Sequence, residues 1–293
     1  MADSSAARLG VFLIVGLVVG LAAGYLVGSH AGRAYQQAPI VTTTTTTTPM
    51  TTAKPAEAYN VRIAYSEKYG FYLTDGRGMT LYIFSADYDG KSHCTGQCAK
   101  NWPPFYVEQI KPAPGLDPRD FGVITRPDGT KQVTYKGHPL YYFHKDEKPG
   151  DIKGDGLHPP AGYWLVAKPD YTVLIATKPG LGTYLTDAKG MTLYFFAKDE
   201  PYNSSCYGVC AQRWPIFKGE QGRLVVPSVL NISDFSFIKR ADGSIQLAYK
   251  GHPLYYFYKD KKPGDTLGQG VKGVWFVASI TGILGGQGGG YNY

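Results

Sequence analysis

Two pairs of cysteines carry the most reactive chemistry in this sequence. Cys94 and Cys98, and again Cys206 and Cys210, stand four residues apart in the pattern Cys-x-x-x-Cys-Ala-x-x-Trp-Pro, and Cys totals 4. Several chemistries use such pairs. A local disulfide needs Cα atoms within about 7 Å, which a helical turn or tight loop provides, and an oxidising exterior closes it. A soft metal site wants about four ligands, but His93 beside the first pair is replaced by Ser205 beside the second. A redox-active dithiol needs a neighbour that stabilises a thiolate, and neither pair has one in sequence. Haem attachment needs His where Ala99 and Ala211 stand. Structural disulfides are the expectation; a redox or metal-handling exterior protein is the alternative.

Other ionisable residues offer less. His138 and His252 each lie between Gly and Pro, which reads as a solvated turn rather than a metal ligand or acid–base group. His144 aligns with Tyr258, so it belongs to no shared set. Asp75, Asp87, Asp146 and Asp151, with Asp187, Asp199, Asp260 and Asp265, are candidate calcium ligands or an acid–base pair. A glycosidic pair must face each other at about 5–10 Å across a cleft, whereas an Asp ending a strand or beside Gly is ordinarily a turn former. No catalytic residue, cofactor or metal ligand is assigned, and the chain is read as non-enzymatic. Tyr82, Phe84, Tyr141 and Phe143 fall mid-strand and read as core. Tyr88, Tyr202 and Tyr207, in loops near the Cys pairs, are the candidate binding surface, suited to a protein interface or a glycan.

The elements that must position these residues come in copies. Tyr72-Leu73-Thr74-Asp75-x-x-Gly78-Met79-Thr80-Leu81-Tyr82 returns as Tyr184-Leu185-Thr186-Asp187-x-x-Gly190-Met191-Thr192-Leu193-Tyr194, and the correspondence runs on through Trp102 and Trp214 to Phe143 and Phe257. Two homologous units follow, at 59–169 and 170–280, before a Gly-rich tail at 281–293. A shorter echo, Gly-x-x-Leu-Tyr-x-Phe-x-x-Asp, occurs four times, beginning at Gly78, Gly137, Gly190 and Gly251. It reads as a turn glycine, a strand with apolar residues on both faces, and a closing Asp. Burial of both faces points to a sandwich or barrel. Arg126-Pro127-Asp128-Gly129 and Ala241-Asp242-Gly243 mark hairpins between short strand-forming runs. The expected fold is all-β, two tandem sandwich-like or barrel-like units of about six to eight strands each.

Composition fits this reading. Gly 37, Tyr 24 and only 18% charged residues exclude a disordered chain or a coiled coil. A net charge of +7 is too small and too dispersed to argue for nucleic-acid binding. Residues 9–28 carry no charge. At about 1.5 Å per residue they reach about 30 Å as a helix, the thickness of a bilayer core, and exceed the roughly 7–15 apolar residues of a cleaved signal. Residues 1–8 are then a short cytoplasmic tail and 29–58, with its Thr run from Thr42 to Thr48, an extracellular stalk. Sequons at Asn203 and Asn231 and the paired Cys favour a large exterior portion. The expected partners are the membrane and an envelope or membrane-complex protein.

The recurring segments together resemble a bacterial and archaeal family of secreted or lipoprotein repeats of unknown function, described by a Tyr-x-aromatic-x-x-Asp motif. The resemblance covers nearly all of 59–280 in two tandem copies. It rests on Tyr-Leu-Thr-Asp with Gly-Met-Thr-Leu-Tyr, on Cys94-x-x-x-Cys98-Ala99-x-x-Trp102-Pro103-Pro104, and on Gly-x-Pro-Leu-Tyr-Tyr-Phe followed by Lys-Pro-Gly-Asp. Trp214-Pro215-Ile216 departs from the double proline of the first unit. Many members carry a lipid anchor in place of a helix. The resemblance implies an exported β repeat and no established reaction.

Overall fold

Short runs of β-branched and aromatic residues, broken by Gly, Pro and Asp, cannot sustain long elements and instead make many brief strands. The computed structural model describes residues 59–219 and 221–281. The expected tail, helix and stalk at 1–8, 9–28 and 29–58, and all but the first residue of 281–293, lie outside the described residues. Among the described residues no helix is long and apolar enough to cross a membrane.

The fold is all-β. The first half contains β1 (Val61–Ser66), β2 (Gly70–Asp75), β3 (Tyr82–Phe84), β4 (Phe121–Thr125), β5 (Lys131–Tyr135), β6 (His138–Pro139) and β7 (Trp164–Val166). The second repeats the series as β8 (Val173–Lys178), β9 (Gly182–Asp187), β10 (Tyr194–Phe196), β11 (Phe235–Lys239), β12 (Ile245–Tyr249), β13 (His252–Pro253) and β14 (Trp275–Val277). Among the described residues helix is confined to α1 (Gln97–Asn101), α2 (Val209–Arg213) and brief 3-10 turns. In each half the strands form two pairs and one triple, β1-β2, β3-β7 and β4-β5-β6, then β8-β9, β10-β14 and β11-β12-β13. Among the described residues no sheet closes into a barrel.

The hairpins form where the turn chemistry demands. At Asp128 the carboxylate accepts from the Thr130 N–H at 3.0 Å and hydroxyl at 2.6 Å, closing the β4–β5 turn. Between β5 and β6 only Lys136 and Gly137 intervene, at φ 49° and 86°; two left-handed residues match the twist of a tight hairpin.

The two faces of each central strand enter different cores. Leu81 and Ile83 pack into a central cluster that includes Leu73 and Leu165 from their own half and Val173, Leu174 and Leu185 from the other. Tyr82 and Phe84 turn to an aromatic core with Trp102, Tyr141, Phe143 and Trp164, and Tyr194, Trp214, Tyr255, Phe257 and Trp275 form its counterpart. The two halves share one apolar centre. Polar contacts sew the same seam: Ser85 Oγ lies 2.7 Å from Thr177 Oγ1, and the Thr177 N–H donates to the Ser85 carbonyl at 2.8 Å.

Candidate functional site

Each half also contains a symmetry of its own. Tyr82 and Tyr141 hold the same place in two copies of the short echo, and their backbones exchange both hydrogen bonds, each at 2.9 Å. Tyr194 and Tyr255 do likewise, at 2.8 and 2.9 Å. The side chains then cross. Tyr82 Oη donates to Asp146 Oδ2 at 2.6 Å, and Tyr141 Oη donates to Asp87 Oδ2 at 2.6 Å. In the second half Tyr194 donates to Asp260 at 2.6 Å and Tyr255 to Asp199 at 2.5 Å. The tyrosine of one motif thus binds the aspartate of the other.

Every one of these carboxylates also accepts from a backbone N–H farther along its own loop: His93 at 2.7 Å on Asp87, Lys153 at 2.9 Å on Asp146, Ser205 at 2.7 Å on Asp199 and Leu267 at 3.0 Å on Asp260. A buried charged group is tolerable only when so bonded. Burial is still the largest influence on Asp87, which is pushed up to about 7, and it raises Asp146 and Asp260 in the same direction. Burial, reinforced by the facing carboxylate, raises Tyr82 and Tyr194 and keeps their hydroxyls as donors.

Beside the crossed pairs stands a column of rings. Phe84 stacks on Trp164 at 4.2 Å between centroids, Trp164 on Trp102 at 3.7 Å, and Trp102 on Phe143 at 4.2 Å. The order Phe196, Trp275, Trp214, Phe257 repeats this at 4.2, 3.7 and 4.3 Å. Such pairs add about 0.5–1.5 kcal/mol each beyond the area they bury. Gly154 lets the backbone pass the column, since a Cβ there would lie 2.6 Å from Trp102; Gly268 serves in the same way, 2.8 Å from Tyr194.

The cysteines aim the tryptophans. Cys94 is bonded to Cys98 and Cys206 to Cys210, with Cα separations of 5.2 and 5.3 Å. The Trp102 N–H then donates to the Cys98 carbonyl at 2.8 Å, ending α1 and turning the indole inward. A buried arginine holds each bridge to the sheet. Arg126 donates to the Cys94 carbonyl at 2.6 Å, to Gln132 Oε1 at 2.6 Å and to Ser92 Oγ at 2.7 Å. Arg240 contacts Cys206, Gln246 and Ser204 in the same pattern. Ser92 Oγ, accepting from Arg126, also lies 2.8 Å from Tyr141 Oη; since the phenolic proton is given to Asp87, the serine hydroxyl is the donor in that contact and links the arginine to the crossed pair.

The remaining candidates separate. Asp75 accepts from the Arg77 and Met79 N–H groups at 2.8 and 2.9 Å, and Asp187 from Lys189 and Met191 at 2.9 Å each, so both are turn formers. Asp151 and Asp265 receive the Glu147 and Lys261 N–H groups at 3.0 and 2.9 Å. Among the described residues no group of three or more His, Cys, Asp or Glu side chains is placed to hold a metal ion. His138 and His252 differ from the solvated turns expected of them. They begin β6 and β13; His138 Nε2 lies 3.2 Å from the Ala188 carbonyl in the seam between halves, and burial lowers both pKa values.

The three loop tyrosines do not share one surface role. Tyr88 stacks on His93 at 5.2 Å with Lys178 over its ring at 5.6 Å. The Tyr207 ring covers Arg240 at 4.3 Å, and its hydroxyl accepts from the Ala241 N–H at 3.1 Å. Tyr202, 61% exposed, is the most open of them. Asn203 and Asn231 are both exposed, and Asn231 caps a 3-10 turn by accepting from the Ser233 N–H at 3.0 Å. Sequence reasoning missed Arg126, Gln132, Trp164 and their counterparts Arg240, Gln246 and Trp275. The first two pairs keep the register of the surrounding repeat and were open to the same comparison that found the tyrosines.

Comparison with known proteins agrees with this internal symmetry. The family model described as a secreted repeat of unknown function matches residues 64–106, 122–168, 176–218 and 236–279. These four stretches take in more than half of the chain, and each holds one Tyr-x-Phe segment of the crossed arrangement. The family's repeat is therefore half of the unit expected from the longer correspondence. No curated protein and no solved structure matches the chain.

Proposed function

Since the chain belongs to the family of secreted repeats of unknown function, we propose that it acts outside the cell as a non-enzymatic, membrane-tethered module. In this reading residues 9–28 span the membrane, 29–58 form the stalk, and two small sandwich-like halves bind another envelope component or serve a membrane complex as an accessory subunit. The observation that carries it is the employment of the reactive groups. The aspartates and tyrosines of the motif bind one another, the four sulfurs are paired, and the buried arginines hold the loops that carry them. Exposure of both sequon asparagines is compatible with an exterior setting.

The test uses the full chain in intact cells. Lysines within 59–281 are expected to react with a membrane-impermeant amine reagent, and the chain is expected to stay with the membrane through an alkaline carbonate wash. Protection from the reagent, or release by the wash, refutes the tethered exterior module. Thiol titration addresses the redox and metal alternative: no sulfur is expected to react without prior reduction, and a free thiol or a stoichiometric metal by elemental analysis would favour that alternative.

A further inference from the structure

The repeated scaffold is not repeated on its surface. In the second half a cleft of about 580 Å³ opens against the end of the ring column, with Phe196, Trp214, Phe257 and Trp275 along its floor. Four exposed cations stand around it, Lys198, Arg213, Lys259 and Lys272. No carboxylate lines the cleft, and none of the four cations is in an ion pair among the described residues. Three exposed apolar side chains complete the rim: Val209 at 64%, Leu267 at 59% and Tyr258 at 42%.

The first half shows what such a face looks like without this character. At the corresponding positions Ala86 stands for Lys198, Asn101 for Arg213, Gln97 for Val209, His144 for Tyr258 and Lys153 for Leu267. Lys153 is paired with Asp151 at 3.0 Å. The segment before the last tryptophan is also longer, 157–163 against 271–274, and folds His158 flat on Tyr163 at 3.8 Å. Both halves keep the rings beneath, so the folding requirement is met with either surface. The unpaired cations and exposed apolar rim of the second half are not needed to form the column.

We propose that this cleft binds an acidic saccharide, a sugar unit bearing carboxylate or sulfate groups. Its volume falls within the roughly 300–1,000 Å³ of small-ligand sites. Cations held in no ion pair, with only Lys259 resting on a ring, that of Tyr258 at 5.7 Å, match anionic substituents and offer charge-assisted hydrogen bonds. The partly exposed ring of Phe196 and the ring of Tyr258, 42% exposed, face the cleft and can take the apolar C–H face of a pyranose while its hydroxyls stay in water. A peptide strand fits less well, because it binds by extending an open sheet edge. Here β10 is paired to β14 on one side and bridged to Tyr255 on the other. The inference deepens the proposed exterior role and rests on it only for where the ligand would be met; binding in solution is independent of topology.

The detergent-solubilised full chain would be titrated calorimetrically with an oligogalacturonate, a sulfated galactan oligosaccharide, a neutral galactan oligosaccharide and a poly-glutamate of similar length. Binding of either acidic saccharide, weakened by added salt, with no neutral binding and much weaker poly-glutamate binding, is expected. The preferred acidic probe distinguishes carboxylate from sulfate recognition. Binding of neither acidic saccharide, equal binding of the neutral one, or equal binding of poly-glutamate overturns the proposal. Lys198→Ala and Arg213→Asn install the residues of the first half and are expected to weaken binding about tenfold each, about 1.4 kcal/mol, with the melting temperature unchanged. Lys145→Ala, at the Lys259 position of the first half, is expected to leave affinity as it was. An unchanged affinity in both cleft variants overturns the assignment to this cleft. Failure in calorimetry with success in the cell-surface labelling test removes the ligand and leaves the exterior module standing.

Discussion

Where the first half has Ala86 and Asn101, the second has Lys198 and Arg213 lining the cleft beside its stacked rings. Beneath this difference the halves agree closely. Their Trp–Trp separations are both 3.7 Å, and their arginines hold equivalent carbonyls, glutamines and serines. Close packing explains the contrast. A ring displaced inside a dense core loses contacts on every side, so the two interiors tolerate little divergence. A rim in water tolerates a great deal. The differences between the halves are therefore where a distinct task would be expected, and the similarities show what the fold cannot give up.

The strongest attack on this comparison removes an indole. Trp164→Ala and Trp275→Ala should each cost about 3–5 kcal/mol. Because one apolar cluster runs through both halves, either variant should still melt in a single transition by calorimetry. Two separated transitions would show that the halves fold independently. Next, Gly154→Ala and Gly268→Ala place a Cβ 2.6 Å from Trp102 and 2.8 Å from Tyr194, and each should cost as much as about 3 kcal/mol. Urea midpoints would reveal it, and a negligible loss in one half alone would break the equivalence of the columns.

Replacing both cysteines of one bridge with alanine opens a very short loop and should cost about 2 kcal/mol in either half on the chain-entropy account. Unequal losses, again from urea midpoints, would show that the bridges do different work. The subtlest effect concerns pH. Burial raises Asp87 to about 7 against about 4 in an unfolded chain, so the folded state holds its proton more tightly. The resulting stabilisation is complete below about pH 4 and is lost as pH rises through about 7. Asp87→Asn should flatten the stability profile across that window, measured by denaturation at a series of pH values. An unchanged slope would assign the dependence to other groups, with Asp146 and Asp260 acting in the same direction.

Much of this was legible from residue patterns. Leu81 and Tyr82 face opposite ways as alternation requires, and the turns at Asp128 and Asp242 fall between the strands they were expected to join. The disulfides followed from spacing and compartment. What stayed hidden has physical causes. Aligning copies shows that Tyr82 corresponds to Tyr141, but not that each hydroxyl crosses to the other copy's aspartate. Trp164 and Trp275 are displaced from the main register by the longer segment at 157–163. His138 looked solvated because Gly and Pro suggest a turn, whereas the neighbouring half covers it. The cations of the cleft come from separate stretches of chain, and only folding assembles them.

The exchange of tyrosine for aspartate between neighbouring copies imposes a rule of parity. One copy supplies a single donor and a single acceptor, and neither can answer the other within that copy. Copies are complete in twos, as the four in this chain are. A chain with an odd number would carry one unanswered half, and the closest match for it would be the same half of another molecule.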